Sequence, residues 1–241
     1  MNERRKLILR TLGLTPLWRS RSGMSGPLVT DSAESLDSDN APDIHLPEQP
    51  IQPDIQHMDW EQLAETVTHC NACVLRKTCT QTVFGVGDRN ADWLYIGEGP
   101  GAREDELGEP FVGQAGKLLD NMLAAIHLKR GENVYITNIV KCRPPNNRNP
   151  SDSEARQCEP YLSRQIELIK PKLIIALGKV AAQNLLNSGD SIANLRGKIH
   201  TYSGIPLIVT YHPAYLLRAL PEKAKAWKDL CRARELMQTL T

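Results

Sequence analysis

The feature that most constrains the fold is an alternation of short apolar runs with helical segments from about residue 60 onward. Four continuous apolar runs recur, "DWLYIG", "NVYITNIV", "KLIIALG" and "IPLIVTYH". Such runs are typical of parallel strands covered on both faces. Helices are predicted at "AGKLLDNMLAAIHL", "SDSEARQCEPYLSRQIELI", "KVAAQNLLN" and "EKAKAWKDLCRARELMQTL". The pattern predicts an α/β fold, a three-layer sandwich with a mostly parallel four-stranded central sheet between helices.

The first 57 residues differ in composition from the remainder. Residues 1–21 hold six Lys or Arg, whereas residues 22–75 hold none. Abundant Ser, Asp and Pro predict that residues 22–57 form a disordered acidic linker. Residues 2–13 have the spacing of a short helix, but isolated helices of this length are marginal, which favours a frayed terminus. A helix that docks on a partner protein is the alternative. We therefore expect an N-terminal extension over 1–57 and one domain over 58–241.

Several classes of protein are disfavoured by composition. No apolar run approaches the roughly 20 residues that cross a membrane, and Arg10 interrupts the apolar part of the N-terminus, so we expect a cytoplasmic chain without a membrane partner. The net charge is +1, although basic residues outnumber acidic ones after the extension, which permits a polyanionic partner. Six cysteines, several of them clustered, indicate metal or redox use rather than a secreted disulfide scaffold.

Polar and turn-forming residues follow three of the four predicted strands, in "GEGPGAREDELGEPFVGQAG", "TNIVKCRPPNNRNP" and "TYHPAYLLR". Because parallel strands end at the same edge of a sheet, these segments are expected to form one site. The first segment is acidic and lacks the Gly-Lys-Ser/Thr of a phosphate-binding loop. An anionic loop is a poor phosphate cradle, so the site is expected to bind something other than a nucleotide phosphate.

Three motifs, in the same order along the chain, carry a family resemblance. "GEGPGAREDELGEPFVGQAGKLL", "YITNIVKCRPPNNRNP" and "HPAYLLR" resemble the iron–sulfur (family 4) uracil-DNA glycosylases, from about Cys70 to Leu236. The resemblance implies a monomeric, monofunctional glycosylase associated with the nucleoid. Such an enzyme flips uracil out of single- or double-stranded DNA and hydrolyses its N-glycosidic bond. It releases free uracil and leaves an abasic site, which initiates base excision repair.

The resemblance also implies which residues recognise the base. Phe111 is expected to stack on uracil. The Asn138 amide is expected to accept from N3–H and donate to O4, an arrangement that cytosine reverses. Glu104 is expected to face the C5 side and to exclude the methyl group of thymine. The alternatives are a core phenylalanine and an asparagine at a chain corner.

Two further residues are expected to act on the breaking bond. His212 is expected to approach uracil O2, where negative charge grows, and to stabilise it with a ring N–H. Glu98 is expected to stabilise an oxocarbenium-like sugar and to hold the attacking water. Gly99, with its neighbouring glycines, is expected to let the backbone approach sugar and base. Asp105 and the later carboxylates of this loop are expected merely to solvate it.

The segment "AYLLR" has the composition of a DNA-contacting loop. Either Leu216 or Leu217 is expected to enter the gap that the flipped nucleotide leaves. Arg143, Arg148 and Arg218 are candidates for phosphate contacts, each with a solvated surface charge as the alternative.

Four cysteines are candidate metal ligands. Cys70 and Cys73 form a C-x2-C pair, while Cys142 and Cys158 have fifteen residues between them. Four thiolates suit zinc or an iron–sulfur cluster, and the single close pair favours the cluster over a zinc ribbon. The family resemblance implies a [4Fe–4S] cluster with a structural, loop-positioning role. Cys79 is assigned no ligand role.

Two rival interpretations remain open. The chain could be a catalytically idle DNA-binding module, against which the retention of Glu98, Phe111, Asn138 and His212 argues. It could also trap the abasic sugar through a histidine in the loop after the second strand. No histidine occurs between Cys142 and Cys158, which argues against that reaction.

Overall fold

The computed structural model describes residues 54–240 of the chain. The predicted helix at 2–13 and all but the end of the predicted linker lie outside the described residues. The α-helices of the described range are α1 (Trp60–Thr68), α2 (Ala102–Leu107), α3 (Gln114–Ala125), α4 (Asp152–Ile169), α5 (Lys179–Leu186), α6 (Ile192–Leu195), α7 (Pro213–Leu216) and α8 (Lys223–Leu240). Short 3-10 turns occupy Ile55–His57, Val74–Lys77, Pro145–Asn147 and Leu220–Glu222. Ile55 packs beside Leu63 and Val67, so the folded domain includes residues just before the predicted boundary at 58.

Six strands form one sheet within residues 54–240. They are β1 (Val86–Gly87), β2 (Trp93–Gly97), β3 (Val134–Asn138), β4 (Leu173–Leu177), β5 (Ile199–Tyr202) and β6 (Ile205–Thr210). Their order across the sheet is β1-β3-β2-β4-β6-β5, and the four central strands run parallel. These four are the predicted strands, so the mostly parallel central sheet is confirmed.

The two edge strands were not predicted. Both β1 and β5 pair antiparallel with their neighbours. Strand β1 has only two residues, and β5 alternates between exposed and half-buried side chains instead of forming an apolar run. Edge strands carry a weaker hydrophobic signal because one face or one side meets solvent.

Side chains of the central strands alternate between two cores, which confirms the three-layer sandwich. Ile96, Ile174 and Val209 face α4 and α5 in one core. Tyr95, Ile175 and their neighbours face α3 and α8 in the other. Because these strands are buried on both faces, large-to-small substitutions in them are costly, typically about 2–5 kcal/mol for Ile to Ala.

Helix α4 begins where the sequence predicts, at an N-cap serine. The Ser151 hydroxyl accepts from the Glu154 N–H at 3.3 Å, and the Glu154 carboxylate accepts from the Ser151 N–H at 2.7 Å. The Arg148 guanidinium donates to both carboxylate oxygens of Glu154, at 2.8 and 2.7 Å. These donors hold the pKa of Glu154 down to about 2. The loop before α4 is therefore fastened to the first turn of the helix.

The strand order determines where a crevice opens. From β2 the chain crosses to β3 on one side, and then to β4 on the other side of β2. Such a reversal leaves a crevice at the carboxyl ends of the central strands, where ligands of open α/β sheets bind. None of the helices within residues 54–240 has the length and apolar character of a membrane span.

Candidate active site

A cavity of about 630 Å³ opens at the carboxyl ends of β2, β3, β4 and β6. We call it the strand-end cavity. The predicted site residues in its wall are Glu98, Gly99, Glu104, Phe111, Asn138, Arg148, His212 and Arg218. A volume of this size is ordinary for a small-molecule or base-binding pocket. The three segments that the sequence analysis placed at one sheet edge therefore do meet there.

Asn138 and Phe111 meet over the last residue of β2. A Cβ at Gly97 would lie 2.5 Å from Asn138 Oδ1 and 2.6 Å from the Phe111 ring, so only glycine leaves room for both side chains. Asn138 ends β3 and is 2% exposed, and its Oδ1 has no hydrogen-bond partner among residues 54–240. Buried amide oxygens are rarely left unpaired, so the cavity offers an acceptor for a ligand.

His212 forms the opposite wall of the strand-end cavity. Burial lowers the pKa of its imidazole to about 4, so the ring is neutral near pH 7. Its Nδ1 accepts from the Ala214 N–H at 3.1 Å, which places the ring proton on Nε2. A Cβ at Gly178 would lie 2.8 Å from the His212 Cβ, so glycine permits this close approach, and its φ of +94° suits glycine alone. The Phe111 and His212 ring centroids are 5.5 Å apart.

Glu98 follows β2 directly and contributes a carboxyl group to the cavity wall. Burial raises its pKa. No hydrogen bond or ion pair engages this carboxylate among the described residues. Its main-chain carbonyl accepts from the Val140 N–H at 3.2 Å, which extends the β2–β3 pairing past the strand ends. The carboxyl group is thus held at a fixed height above the sheet edge while remaining available to a ligand.

Two other carboxylates of this acidic loop, those of Glu104 and Asp105, have structural contacts. Glu104 Oε1 accepts from the N–H groups of Val112 and Gly113, at 3.0 and 3.1 Å. Asp105 is 4% exposed, and its Oδ1 accepts from the Thr80 N–H at 2.8 Å. The expectation that Asp105 merely solvates the loop was wrong, because its side chain points inward and pairs with main-chain donors of the preceding segment.

The predicted DNA-contacting residues differ in exposure. Leu216 is fully buried, whereas Leu217 is 41% exposed, so Leu217 is the one whose side chain can reach DNA without unpacking α7. Arg218 lies on the rim of the strand-end cavity. Arg143 lies outside the cavity wall and donates to Asn147 Oδ1 at 2.8 Å. Arg148 lines the cavity but is committed to its ion pair with Glu154.

The cavity wall also contains residues that the sequence analysis did not single out, among them Lys179 and Tyr215. Lys179 follows Gly178 at the end of β4, and Tyr215 lies in the quoted "HPAYLLR" segment. The rule that sites gather at strand ends could have found Lys179, since "KLIIALGK" ends in a glycine and a cation. Tyr215 packs 5.1 Å from the Tyr211 ring, a contact that spacing alone does not reveal.

The four candidate metal ligands also lie together. Cys70, Cys73, Cys142 and Cys158 line a second, small and mainly apolar cavity, which we call the cysteine cavity. Burial, followed by the neighbouring cysteines, raises the pKa of Cys142, and burial raises that of Cys158 to about 11. Within residues 54–240, no three His, Cys, Asp or Glu side chains are already arranged around a single metal ion. Cys79 lies beside Cys142 but outside the wall of this cavity.

Comparison with known proteins identifies the family of the chain. Residues 84–231 match the model of the uracil DNA glycosylase superfamily. The type-4 uracil-DNA glycosylase of Archaeoglobus fulgidus is 46% identical over 165 residues, which cover 65% of this chain and 82% of the relative. That of Pyrobaculum aerophilum is 42% identical over 72% of this chain and 92% of its own length. That of Thermotoga maritima is 44% identical over 66% and 83%. The chain belongs to the uracil DNA glycosylase superfamily and, within it, to the type-4 uracil-DNA glycosylases.

Proposed function

We propose that this protein excises uracil from DNA and leaves an abasic site, as a monofunctional DNA glycosylase of base excision repair. The observation that carries the proposal is the convergence of Glu98, Phe111, Asn138 and His212 on the strand-end cavity. A base inside a duplex is out of reach of such a cavity, so the nucleotide must be flipped out.

The Phe111 ring and the Asn138 amide are suited to recognise the flipped base. An aromatic face supports stacking with any base. The unpaired Oδ1 of Asn138 accepts from uracil N3–H, while its amide nitrogen donates to O4. Cytosine presents an acceptor at N3 and a donor at C4, so it would leave the buried amide facing two like groups. A buried polar group without a partner costs about 1–3 kcal/mol, which favours uracil.

His212 is suited to stabilise the departing base. As the C1′–N1 bond breaks, its electron pair passes to uracil, and charge accumulates on O2 and N1. A neutral imidazole with its proton on Nε2 donates a hydrogen bond to that oxygen. A donor already in place before reaction stabilises developing charge without reorganisation.

Glu98 is suited to the sugar side of the same bond. Its carboxylate would stabilise the positive charge that develops at C1′ and orient a water molecule toward that carbon. Water oxygen then bonds to C1′, and the proton that it loses restores neutral uracil. Glu104, whose Oε1 holds the loop after Phe111, contributes by shaping this wall of the cavity.

The surface around the cavity supports an interaction with DNA. Leu217 is an exposed apolar side chain beside the cavity and would fill the gap left in the stack. Arg218 on the rim and Arg143 beside the neighbouring loop would contact phosphates, which set affinity rather than base choice. Arg148 would contribute mainly by holding its loop against Glu154.

We also infer that the cysteine cavity binds a [4Fe–4S] cluster through Cys70, Cys73, Cys142 and Cys158. Four thiols around one apolar cavity are the donor set of such clusters, and their mutual repulsion when ionised favours a shared cation. When bound, the cluster would supply iron–thiolate bonds that cross-link the segment after α1, the loop after β3 and helix α4. Cys142 and Cys158 flank the loop that lines the strand-end cavity, so the cross-link would position that loop.

The direct test is release of free uracil from uracil-containing oligonucleotides, single- and double-stranded, with thymine-containing oligonucleotides as controls. We expect release only from the uracil substrates, with alkali-labile abasic sites in equal amount. DNA binding without release would favour the idle binding module instead. A covalent adduct between protein and abasic DNA would favour the sugar-trapping reaction.

The predictions of a monomer, a cytoplasmic location and a protein partner for the N-terminal extension stay predictions. Light scattering tests the first, with the mass of one chain as the expected result. Comparison of the full chain with a variant lacking residues 1–53 tests the last. We expect that variant to keep uracil release, because the described strand-end cavity is built entirely from residues beyond 97.

A further inference from the structure

Phe111, the aromatic wall of the strand-end cavity, has an uncommon backbone conformation. Its φ is 55°, in the left-handed region that non-glycine residues seldom adopt. The ring is buried, with 7% exposed. Helix α3 also approaches closely, since a Cβ at Gly116 would lie 1.7 Å from the Phe111 carbonyl oxygen. A side chain held in this way needs surrounding contacts that enforce the conformation.

Arg130 supplies one set of these contacts. Its guanidinium donates to the main-chain carbonyls of Pro110 and Phe111, at 3.0 and 2.9 Å. Its Nε donates to Asp120 Oδ1 on α3 at 2.9 Å, which orients the planar guanidinium group. The Arg130 side chain is 22% exposed and lies outside the cavity wall, so it does not touch a bound base directly.

Glu104 supplies the opposing contacts. Its Oε1 accepts from the N–H groups of Val112 and Gly113. The peptide group between Phe111 and Val112 is therefore held at its carbonyl by a cation and at its N–H by a carboxylate. Bonds to charged groups are stronger than neutral ones, so the orientation of this peptide group is strongly determined.

We propose that Arg130 is a positioning residue for base stacking. This role rests on the proposed excision of uracil. By holding two successive carbonyls, the guanidinium keeps the Phe111 ring facing the base site. Lysine cannot replace it, because an ammonium lacks the rigid fork that reaches two carbonyls and a carboxylate together.

The first test concerns the ring itself and does not depend on activity. The chain has two phenylalanines, Phe84 and Phe111, so labelling with 4-fluorophenylalanine yields two ¹⁹F resonances. We expect Arg130→Gln to shift or broaden the Phe111 resonance and to leave that of Phe84 unchanged. The control is Lys129→Gln, which removes the neighbouring charge, whose partner is the exposed Glu132. An unchanged Phe111 resonance in Arg130→Gln would overturn the proposal.

The second test is a double-mutant cycle on uracil release with Phe111→Ala. We expect Arg130→Gln alone to lower kcat by about 10- to 100-fold, as small misplacements of binding groups do. In the Phe111→Ala background the same substitution should change kcat by less than about twofold, since coupled residues are not additive. An equal loss in both backgrounds would show that Arg130 does not act through Phe111. If Arg130→Gln fails to fold, Arg130→Lys keeps the charge and tests the fork.

The two tests separate this proposal from the proposed function. A chain that releases no uracil yet shows the selective ¹⁹F change would contradict the enzyme activity and retain the role of Arg130. A chain that releases uracil without the selective ¹⁹F change would retain the enzyme activity and contradict the role of Arg130.

Discussion

The strand-end cavity and the cysteine cavity flank the same short segment, residues 138–142, yet their polar groups are satisfied in different ways. In the strand-end cavity, Asn138 Oδ1 has no partner among the described residues, and burial raises the pKa of Glu98. In the cysteine cavity, the Lys141 N–H donates to Cys158 Sγ at 3.4 Å, and apolar side chains surround the thiols. Unpaired polar groups suit a ligand that binds reversibly, whereas thiols in an apolar shell suit a permanently bound ligand.

The two cavities are coupled through Lys141. Its side chain is 1% exposed, and its Nζ donates to the Asn138 carbonyl at 2.9 Å and to Thr137 Oγ1 at 2.5 Å. The segment that carries the Asn138 amide is therefore fixed from the side of the cysteine cavity. Substitutions in the strand-end cavity should change the chemistry and spare the fold, whereas substitutions in the cysteine cavity should act on the fold first.

The largest expected effect is that of His212→Ala. Loss of the N–H donor should lower uracil release by about 10²- to 10³-fold, the usual cost of removing one oxyanion donor. DNA affinity and melting temperature should change little. The control is His200→Ala, because His200 bonds to the Leu195 carbonyl and neither residue lines the strand-end cavity. Equal losses of uracil release in His212→Ala and His200→Ala would show that His212 acts on the fold rather than on the chemistry.

Cys142→Ser should act in the opposite sense, on the fold before the chemistry. We expect loss of iron, loss of broad absorption near 400 nm, and a melting temperature lower by several degrees, since each kcal/mol corresponds to about 2–4 °C in a domain of this size. Cys231→Ser, on α8 and away from the cysteine cavity, should retain both properties. Full iron content and unchanged melting in Cys142→Ser would contradict the ligand assignment.

Leu217→Ala and Leu216→Ala should separate a surface role from a core role. Loss of the exposed Leu217 should lower release from duplex DNA by about tenfold and leave single-stranded DNA unaffected, because only a duplex has a gap to fill. Loss of the buried Leu216 should destabilise the domain by about 2–5 kcal/mol. Any loss of release should then be the same for single-stranded and duplex DNA. Kinetics on matched oligonucleotides and thermal melting measure the two effects.

The smallest effect concerns Glu98 and pH. Burial raises the pKa of Glu98, so the folded protein binds its proton more tightly than the unfolded chain does. Stability from this group therefore falls as pH rises from the unfolded pKa, about 4.3, through the folded pKa. Glu98→Gln removes the free-energy cost of burying an ionised carboxylate. Its melting temperature should exceed that of the wild type at pH 7, and the difference should vanish below about pH 4. A lower melting temperature at pH 7 would contradict a desolvated carboxylate.

The central strands could be predicted because burial on both faces produces continuous apolar runs, and most of the helices could be predicted from the segments between those runs. The start of α4 could be predicted as well, since its capping box is local in sequence. Edge strands β1 and β5 could not, because their side chains meet solvent. The convergence on one cavity followed from the strand-end rule together with the family resemblance.

Contacts between distant segments account for what the sequence did not reveal. Asp105 reads as one more solvated carboxylate, and only the fold brings it to the Thr80 N–H. Likewise, Arg130 lies in an unremarkable charged turn, and its two carbonyl partners are about twenty residues earlier in the chain. Leu216 and Leu217 are adjacent residues of the same type, and only the packing of α7 against α3 makes one buried and the other exposed.

The central claim is that the unpaired Asn138 amide reads uracil in the strand-end cavity, and Asn138→Asp tests it most directly. Release rates should be measured on matched uracil- and cytosine-containing oligonucleotides, with Asn121→Asp on the exposed side of α3 as the control. We predict that preference for uracil over cytosine falls by about 10- to 100-fold in Asn138→Asp, as expected for a lost bidentate contact, and stays at the wild-type value in the control. An unchanged preference in Asn138→Asp would contradict the account.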